Sequence, residues 1–386
     1  MQAVFDAIRA SGEDNRGLPS EIYTSEAFFR WERDNLFGPR WFGIAFGGDV
    51  PKPGDIRKVD ALGTSFIAVR DEQNKVRVFH NVCRHRGRQL VDDACSAAKL
   101  IRCPYHAWTY RLDGRLNGTP HIGGAGVHEA EGFDKSGFSL FEIRSDTWMD
   151  VIFVNLDGGA PPLGDYIAPL RSRLSRLWGD TGPEAMRPAS DGVMEMEVRS
   201  NWKLAVENYL EAYHLPIVHP GLNSYSPLSN HYCFHDGKDY AGQGVTTYRP
   251  DITAGRPVPS LSGWDEQQQH TAEYPALYPN VLIGVQRDHF FTMVLIPLGP
   301  GFTRERIELQ FVGDAAEDAA WINTRHAILE RWRLVFQEDI PAVEGMQTGR
   351  HSNAFDGGVF TPVLDAATRH FHRWYATEAA TQRSGA

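Results

Sequence analysis

Short alternating runs of apolar and polar residues occur between residues 42 and 157 and predict β-strands joined by turns. Asp113-Gly114 predicts a hairpin turn, and the Gly/Pro-rich segment Gly158–Gly164 marks a boundary. Similar runs recur beyond it. The predicted strands are Ile56–Val59, Phe66–Val69, Val76–Phe79, Leu100–Arg102, Ile152–Asn155, Val193–Val198, Phe290–Pro297 and Arg306–Val312.

Three longer segments carry helical spacing: Ser20–Trp41, Asn201–Pro220 and Asp318–Ile340. In the second, apolar residues recur at i, i+4 and i+7, which predicts a helix. Pro216 should end it, because proline has no amide hydrogen and clashes with the preceding turn. In the third, the apolar residues also share one face. The apolar residues of the second segment are Val206, Leu210 and Tyr213, and those of the third are Trp321, Ile328, Trp332, Val335 and Phe336.

Composition narrows the class of protein. A length of 386 residues favours two or three domains, and 42% hydrophobic with 23% charged residues is ordinary for a globular chain. No run approaches the roughly 20 apolar residues of a membrane span, and charges near the N-terminus argue against a signal peptide. A net charge of −10 argues against nucleic-acid binding. We therefore expect a cytoplasmic enzyme without a membrane or nucleic-acid partner.

Four residues of the strand-rich region form a ligand motif. Cys83 and His85 make C-x-H, and after a gap of 17 residues Cys103 and His106 make C-x-x-H. Two thiolates and two imidazoles suit a Rieske [2Fe–2S] cluster, in which the cysteines bind one iron and the histidines the other. Such a cluster accepts and passes single electrons.

A structural zinc site is the alternative, because Zn²⁺ also takes two Cys and two His. Zinc sites usually read C-x₂₋₄-C and H-x₃₋₅-H, which differs from the spacing here. Each half of the motif also follows a short predicted strand and contains a turn residue, Gly87 or Pro104. Such loops can clamp a cluster from two sides, so zinc is the less favoured interpretation.

A second set of candidate ligands lies in Asn201–Pro220. His214 and His219 are five residues apart, so a straight helix would point them to different sides. A helix broken at Pro216 would let His219 turn back toward His214. Two histidines and one carboxylate are the ligands of non-heme Fe(II) oxygenases, which leave coordination positions open for O₂.

The third helical segment offers the carboxylate. Asp339 continues its apolar face, where a carboxylate is costly unless it is paired or binds a metal. Glu338 points about 100° away and is expected in solvent, and Pro341 should distort the helix nearby. An ion pair with Arg331 or Arg333 is the alternative for Asp339.

Other residues of these helices have simpler interpretations. Glu207 is placed to pair with Lys203 at i,i+4 spacing. The aromatic residues near the candidate ligands are more often part of a core than of a substrate site. They are Trp202, Tyr209, Tyr213 and Trp332.

The loops CRHRG (83–87) and CPYHAWTY (103–110) resemble those of the Rieske non-heme iron oxygenase α subunits. The family's catalytic signature is an acidic residue, two residues, His, four residues, His. It falls on Glu211, His214 and His219, and the family's distant aspartate ligand matches Asp339. Respiratory Rieske proteins carry an extra Cys in each loop, which this chain lacks. The resemblance therefore favours an oxygenase-type cluster, toward the low end of about −150 to +300 mV.

The resemblance covers nearly the whole chain and implies an α+β architecture. We expect a Rieske [2Fe–2S] β-domain over 42–157 and a helix-grip catalytic domain with an antiparallel sheet over 158–386. A helical segment, residues 1–41, should pack on the catalytic domain.

The resemblance also implies a route for electrons. No G-x-G-x-x-G motif opens a βαβ unit, so NAD(P)H should be oxidised by a separate reductase, directly or through a ferredoxin. Electrons should then pass through His106 or His85 and across Glu211 to Fe(II) in a neighbouring subunit. Fe(II) held by His214, His219 and Asp339 would bind O₂, and transfer between subunits predicts a homotrimer.

The substrate is less well defined. ENYLEAYHLPIVHPGLN (207–223) and YPNVLIGVQRDHFF (278–291) look closer to members that act on choline, betaine or carnitine than to naphthalene-type dioxygenases. We expect hydroxylation or oxidative N-demethylation of a quaternary ammonium compound, with an aromatic ring or aromatic acid as the alternative. Four aromatic residues could form a cation cage, a ring site or core: Tyr232, Tyr248, Phe290 and Phe291. Outside this class, a Rieske ferredoxin-like carrier or a zinc-stapled binding module stays open.

Overall fold

The structure is a computed structural model that describes residues 2–13, 16–178, 182–251, 254–266 and 268–381. Its residues group into two units, Met1–Phe42 with Pro161–Ala386, and Gly43–Ala160. No helix within these described ranges is long and apolar enough to span a membrane.

The unit Gly43–Ala160 contains a six-stranded sheet in the order β1-β9-β8-β4-β3-β2 and a three-stranded sheet β5-β6-β7. The predicted hairpin turn at Asp113-Gly114 is confirmed between β6 and β7. Gly114 has φ +84, and a Cβ there would lie 2.5 Å from the Phe79 ring, so glycine is required. The strands are β1 (Phe42–Phe46), β2 (Ile56–Ala61), β3 (Thr64–Arg70), β4 (Val76–His80), β5 (Ile101–Arg102), β6 (Thr109–Tyr110), β7 (Leu116–Gly118), β8 (Glu142–Trp148) and β9 (Val151–Asn155).

The other unit is built on a seven-stranded antiparallel sheet in the order β10-β16-β15-β14-β13-β12-β11. Its long central strands are almost continuously buried, as expected where helices cover a sheet. The strands are β10 (Met186–Val198), β11 (His231–Phe234), β12 (Tyr240–Val245), β13 (Ala272–Leu277), β14 (Val281–Val285), β15 (His289–Gly299) and β16 (Phe302–Val312).

Nine helices are described in this second unit, and the first, fourth, seventh and ninth of them were not predicted from the sequence patterns. They are α1 (Gln2–Glu13), α2 (Glu21–Thr24), α3 (Glu26–Glu32), α4 (Leu163–Trp178), α5 (Trp202–Tyr209), α6 (Leu215–Val218), α7 (Pro220–Tyr225), α8 (Ile322–Gly349) and α9 (Ala366–Thr381). The predicted α+β class, with one strand-rich unit and one unit of helices and an antiparallel sheet, is confirmed.

Two predicted helices differ from the structure. The helix expected over Ser20–Trp41 is interrupted at Ser25, whose hydroxyl accepts a bond from Phe28 N–H and so starts α3. The helix expected to end at Pro216 already ends at Tyr209. Pro216 instead lies in the first turn of α6, where a missing amide hydrogen costs nothing. Tyr213, predicted on the apolar face, is 56% exposed.

The late helix is longer than predicted. α8 continues beyond Ile340 to Gly349 with Pro341 inside it. Trp321 lies just before α8, in a short 3₁₀ turn. The residues predicted as its apolar face, from Ile328 to Phe336, are buried.

Buried polar groups fix α5 from behind. Lys203 Nζ lies 2.6 Å from Glu32 Oε1, and both side chains are fully buried. Glu207 bonds to Tyr23, Arg350 and His372. The predicted pair between Glu207 and Lys203 is therefore wrong, because each residue finds a partner from a distant segment. These bonds tie α5 to both ends of the chain.

Candidate active site

The two cysteine loops have the same backbone form. In each, the cysteine N–H donates to a carbonyl five residues later, and the residue four positions later donates back to the cysteine carbonyl. That fourth residue has a positive φ, +71 in one loop and +57 in the other. The bonds are Cys83 to Arg88 and Gly87 to Cys83, then Cys103 to Trp108 and Ala107 to Cys103.

The loops place two thiols inward and two imidazoles outward. Cys83 and Cys103 are both 2% exposed, and their thiols interact. The rings of His85 and His106 lie 4.7 Å apart, and His85 stacks on Trp108. One pair of sulfur donors and one pair of nitrogen donors is the set that a Rieske cluster takes. The side chains present therefore fit that group.

A tyrosine that the sequence patterns did not single out lies against this site. The Tyr110 hydroxyl accepts a bond from Arg84 N–H at 3.0 Å and lies 3.2 Å from Cys83 Sγ. Burial, together with the contact with Cys83, raises the pKa of Tyr110. The hydroxyl therefore keeps its hydrogen, and beside a cluster-bound thiolate, which has none, it would be the hydrogen-bond donor to the sulfur. In the sequence, Tyr110 is marked only as the last residue of the loop CPYHAWTY (103–110), two residues after Trp108.

The second set of ligands meets around α6. His214 is the residue before this one-turn helix and His219 the residue after it, so both rings reach the same side. His219 Nε2 lies 2.9 Å from Asp339 Oδ1, and His214 Nε2 lies 3.5 Å from the same oxygen. One ligand atom from each of the three residues lies within 4.8 Å of the others. This arrangement has the composition and size of a 2-His-1-carboxylate iron site.

The carboxylates behind the two imidazoles orient them. Glu211 Oε1 lies 2.6 Å from His214 Nδ1. Glu338 Oε2 lies 2.8 Å from His219 Nδ1, so Glu338, although 30% exposed, is paired with a buried ring and not only solvated as predicted. Burial would lower the pKa of His219, but bonds to Asp339 and Glu338 outweigh it and raise that pKa. Each ring thereby presents its Nε2 toward Asp339. The alternative partners predicted for Asp339 bond elsewhere, Arg331 to Asp251 and Arg333 to Glu330.

The Glu211 segment is held by a side chain from the sheet. Gln243 Nε2 donates to the carbonyls of Tyr209 and Glu211 at 3.0 and 2.9 Å. The Gln243 carbonyl oxygen in turn lies 3.0 Å from His231 Nδ1. Since α5 has already ended, these bonds stand in for the helical bonds that Glu211 lacks.

A cavity of about 50 Å³, called here the histidine cavity, adjoins the triad. Aromatic rings from three elements line it: Tyr209, Tyr274, Trp332 and Phe336. The Trp332 indole N–H donates to His289 Nε2 at 2.9 Å, and His289 Nδ1 lies 2.8 Å from Asp288. This chain of bonds fixes the Trp332 ring in the wall.

Tyr209 and Trp332 therefore line the cavity, although the sequence favoured a core role, whereas Trp202 is core. None of the four aromatic residues proposed as cage or ring site is among the described lining of the histidine cavity. Phe291 packs behind Trp332, and Phe290 contacts Trp178. Tyr232 donates to Glu273, and Tyr248 lines a separate cavity.

A smaller cavity of about 20 Å³, called here the Glu305 cavity, has four lining residues in common with the histidine cavity. Burial and the Asp339 carboxylate raise the pKa of Glu305 to about 8. Neither Lys nor Arg occurs in the described lining of the two cavities. The shared residues are Asn208, Tyr209, Phe336 and Asp339.

Comparison with known proteins identifies the family. Residues 185–380 match the ring hydroxylating alpha subunit (catalytic domain) family, and residues 40–129 match the Rieske [2Fe-2S] domain. The chain belongs to the ring-hydroxylating α subunits and is a Rieske-type non-heme iron oxygenase. It combines a Rieske [2Fe–2S] domain with a mononuclear iron domain and uses O₂ with electrons from a separate donor. The catalytic-domain match favours this class over a ferredoxin-like carrier or a zinc module.

Curated relatives include two enzymes of similar length. The chain is 26% identical over 350 residues to the carnitine monooxygenase oxygenase subunit of Acinetobacter pittii, covering 88% of this chain and 86% of the relative. It is 26% identical over 367 residues to the chloroplastic choline monooxygenase of Spinacia oleracea, covering 94% and 78%.

Solved structures show the same fold. The quaternary ammonium Rieske monooxygenase CntA with L-carnitine aligns with a TM-score of 0.76 at 23% identity, covering 96% of this chain and 97% of that one. Naphthalene 1,2-dioxygenase from Rhodococcus sp. aligns with a TM-score of 0.77 at 20% identity, covering 98% of each.

Proposed function

We propose that this chain is the terminal oxygenase of a system that hydroxylates or oxidatively N-demethylates a small quaternary ammonium compound. The observation that carries this proposal is the lining of the histidine cavity, which combines four aromatic rings with a carboxylate and has no described Lys or Arg. Aromatic faces attract quaternary ammonium ions. An aromatic acid brings a negative charge to this lining and no positive group for the aromatic faces and the carboxylate to attract, so that alternative is less well supported. Relatives named for carnitine and choline add support.

We propose the metal ligands from the donor atoms that each of the two sites brings together. Cys83 and Cys103 would bind one iron of the cluster, with His85 and His106 on the other. His214, His219 and Asp339 would hold the mononuclear Fe(II). When bound, these groups supply single-electron transfer and activation of O₂. The chain's own residues orient the ligands, exclude water from the aromatic wall and position the substrate.

Glu211 is proposed as the bridge between the two centres of different subunits. It holds His214 through Nδ1 and lies beside Tyr213 and Ile217, which are 56% and 86% exposed. Exposed apolar side chains beside a functional residue support a contact with another protein surface. The exposed His85 or the half-buried His106 of a second copy would meet Glu211 there, in a homotrimer.

The remaining assignments are proposals of the same kind. We infer an NAD(P)H-dependent reductase, or a ferredoxin, as the electron donor. A cytoplasmic location is supported by four cysteines that are all free. The domain boundaries 1–41, 42–157 and 158–386 also stay predictions.

Metal content and substrate profile test the proposal together. Anaerobically purified protein should contain about three irons and two acid-labile sulfides per chain. Asp339→Ala should lose the mononuclear iron and keep the cluster, while Asp318→Ala, on the segment before α8, should keep both. With a suitable reductase, choline, glycine betaine and L-carnitine should be tested beside benzoate-type acids. Turnover confined to the aromatic acids would overturn the substrate class.

A further inference from the structure

Strand β16 carries an acidic residue on an otherwise apolar buried face. Side chains alternate along a strand, so residues 303, 305, 307, 309 and 311 share one face. Thr303, Ile307, Leu309 and Phe311 are fully buried, and Glu305 is only 7% exposed. In the sheet, Glu305 pairs with Met196 on the edge strand β10 and with Leu295 on β15, so it has a neighbouring strand on each side.

Glu305 has no hydrogen-bond or ion-pair partner among the described residues, although Thr303 on the same face donates to the carbonyl of Ser200. A buried carboxyl without a partner costs several kcal/mol. Its side chain lines the Glu305 cavity together with Asp339 and the aromatic rings of Tyr209 and Phe336. Both rings also line the histidine cavity. The unpaired buried carboxyl of Glu305 therefore lies close to the candidate iron site.

The charges around this region are strongly unbalanced. Glu211, Glu338 and Asp339 surround the two histidines, and Glu305 adds a fourth carboxyl. A bound Fe(II) would offset two negative charges, and the described lining of both cavities adds no Lys or Arg. The surroundings therefore attract a positively charged molecule and disfavour an anionic one.

We propose that Glu305 is the anionic group that selects a quaternary ammonium substrate over a neutral molecule of the same shape. The proposal rests on the proposed function and adds the residue responsible for charge selection. A tetraalkylammonium group has no N–H to donate, so it is recognised by aromatic faces and by a nearby negative charge. Glu305, Tyr209 and Phe336 supply both.

The burial of Glu305 is consistent with this role. Its side chain is only 7% exposed and lines the cavity beside Tyr209 and Phe336, and an isolated buried carboxylate is costly. A bound cation would remove this cost, because an opposite charge favours the ionised form.

Calorimetric titration of the iron-loaded protein, under anaerobic conditions, separates charge from shape. The probes share a cationic trimethylammonium group: choline is a net cation, whereas glycine betaine and L-carnitine are zwitterions. Each is compared with its own carbon isostere, in which carbon replaces the ammonium nitrogen. Wild-type protein should bind at least one of the three clearly more tightly than its isostere. Glu305→Gln removes the charge at constant size and should weaken binding of that probe about tenfold or more, with binding of its isostere changed less than about twofold.

Two further variants control the result. Glu305→Asp keeps the charge but withdraws it, and should keep part of the preference for the cation. Glu197→Gln makes the same chemical change on the neighbouring strand, where the side chain is 54% exposed and paired with Arg304. It should leave both affinities unchanged.

The outcomes distinguish this inference from the proposed function. A wild-type preference for the cation that Glu305→Gln leaves intact overturns the role of Glu305 alone. An equal loss for cation and isostere shows a structural role and also overturns it. Wild-type protein that binds none of the three probes overturns the substrate class and this inference together.

Discussion

The carboxylate of Glu338 lies 2.8 Å from Nδ1 of His219, while Nε2 of the same ring lies 2.9 Å from Asp339. Adjacent residues of α8 thus hold opposite nitrogens of one imidazole. A carboxylate behind a metal-binding histidine fixes the ring orientation and raises its basicity. Asp339 is a candidate metal ligand, whereas Glu338 positions a different candidate ligand, His219.

Glu338→Gln should therefore weaken binding of the mononuclear iron by about 10–100-fold, because the amide orients His219 less strongly. Cluster iron and sulfide should be unchanged. Chelator competition measures the affinity. Glu330→Gln, an exposed change on the same helix, is the matched control. Equal iron affinities in the two variants would exclude a positioning role for Glu338.

Glu211→Gln should slow oxygenation about 10–100-fold even when excess Fe(II) keeps the mononuclear site filled. Glutamine keeps the size of the side chain but removes the charge next to His214 Nδ1. Stopped-flow re-oxidation of the reduced cluster, in one turnover with saturating substrate, isolates this step. Normal rates would refute the proposed bridge, whereas a slow rate that returns to normal once Fe(II) fills the site would show that Glu211 serves only to hold His214.

Tyr110→Phe should lower the reduction potential of the cluster. The hydroxyl lies 3.2 Å from Cys83 Sγ and, since it accepts from Arg84 N–H, its own hydrogen can bond a Cys83 thiolate; such bonds to cluster sulfur stabilise the reduced state. A hydrogen bond worth about 0.5–1.5 kcal/mol corresponds to roughly 20–60 mV for one electron. A redox titration followed by electron paramagnetic resonance measures the shift. The control is Tyr105→Phe, an exposed tyrosine in the same loop, and an equal shift there would contradict the assignment.

Glu207→Gln should destabilise the protein by about 3–5 kcal/mol, because Arg350 loses the charge of its buried partner. Burial alone would raise the pKa of Glu207, but His372, Arg350 and Tyr23 lower it below the usual 4.5. The stabilisation is therefore fully present at pH values above the usual pKa of 4.5, and it is lost as the pH falls through the lowered pKa of the folded protein.

The difference in the free energy of unfolding between wild type and Glu207→Gln should thus be nearly constant from about pH 7 to about pH 5. Thermal unfolding at both pH values measures it, with the exposed Glu131→Gln as control. A difference that disappears already at pH 5 would show that the pKa of Glu207 is not lowered.

The candidate site was predictable where its residues are close in sequence. The two cysteine–histidine loops and the pair His214 and His219 depend on short spacings, which a sequence displays directly. The periodicity of α8 also placed Asp339 on a buried face. It failed for Glu338 because a helical pattern assigns one face to the interior, whereas His219 reaches this helix between two neighbouring residues.

Contacts between residues that are far apart in the sequence could not be predicted from local sequence patterns. Glu338 and His219 are 119 residues apart, and Gln243 reaches Glu211 over 32. Glu305 lies one residue before the strand predicted over Arg306–Val312, and only the folded sheet shows that it is buried and what its carboxyl faces. The error at Pro216 has a different origin. A proline is compatible with either the end or the first turn of a helix, and the surrounding residues do not distinguish the two.

The single turn of α6 has a consequence for how this region tolerates change. Val218 N–H bonds to the His214 carbonyl and His219 N–H to the Leu215 carbonyl, both at 2.9 Å. The separation of the two imidazoles is therefore set by the pitch of the backbone and not by the side chains between them. Ile217, 86% exposed, can change its identity freely as far as this spacing is concerned. Adding or deleting one residue would rotate one ring about 100° away from the other. Along this stretch, length is under tighter constraint than composition.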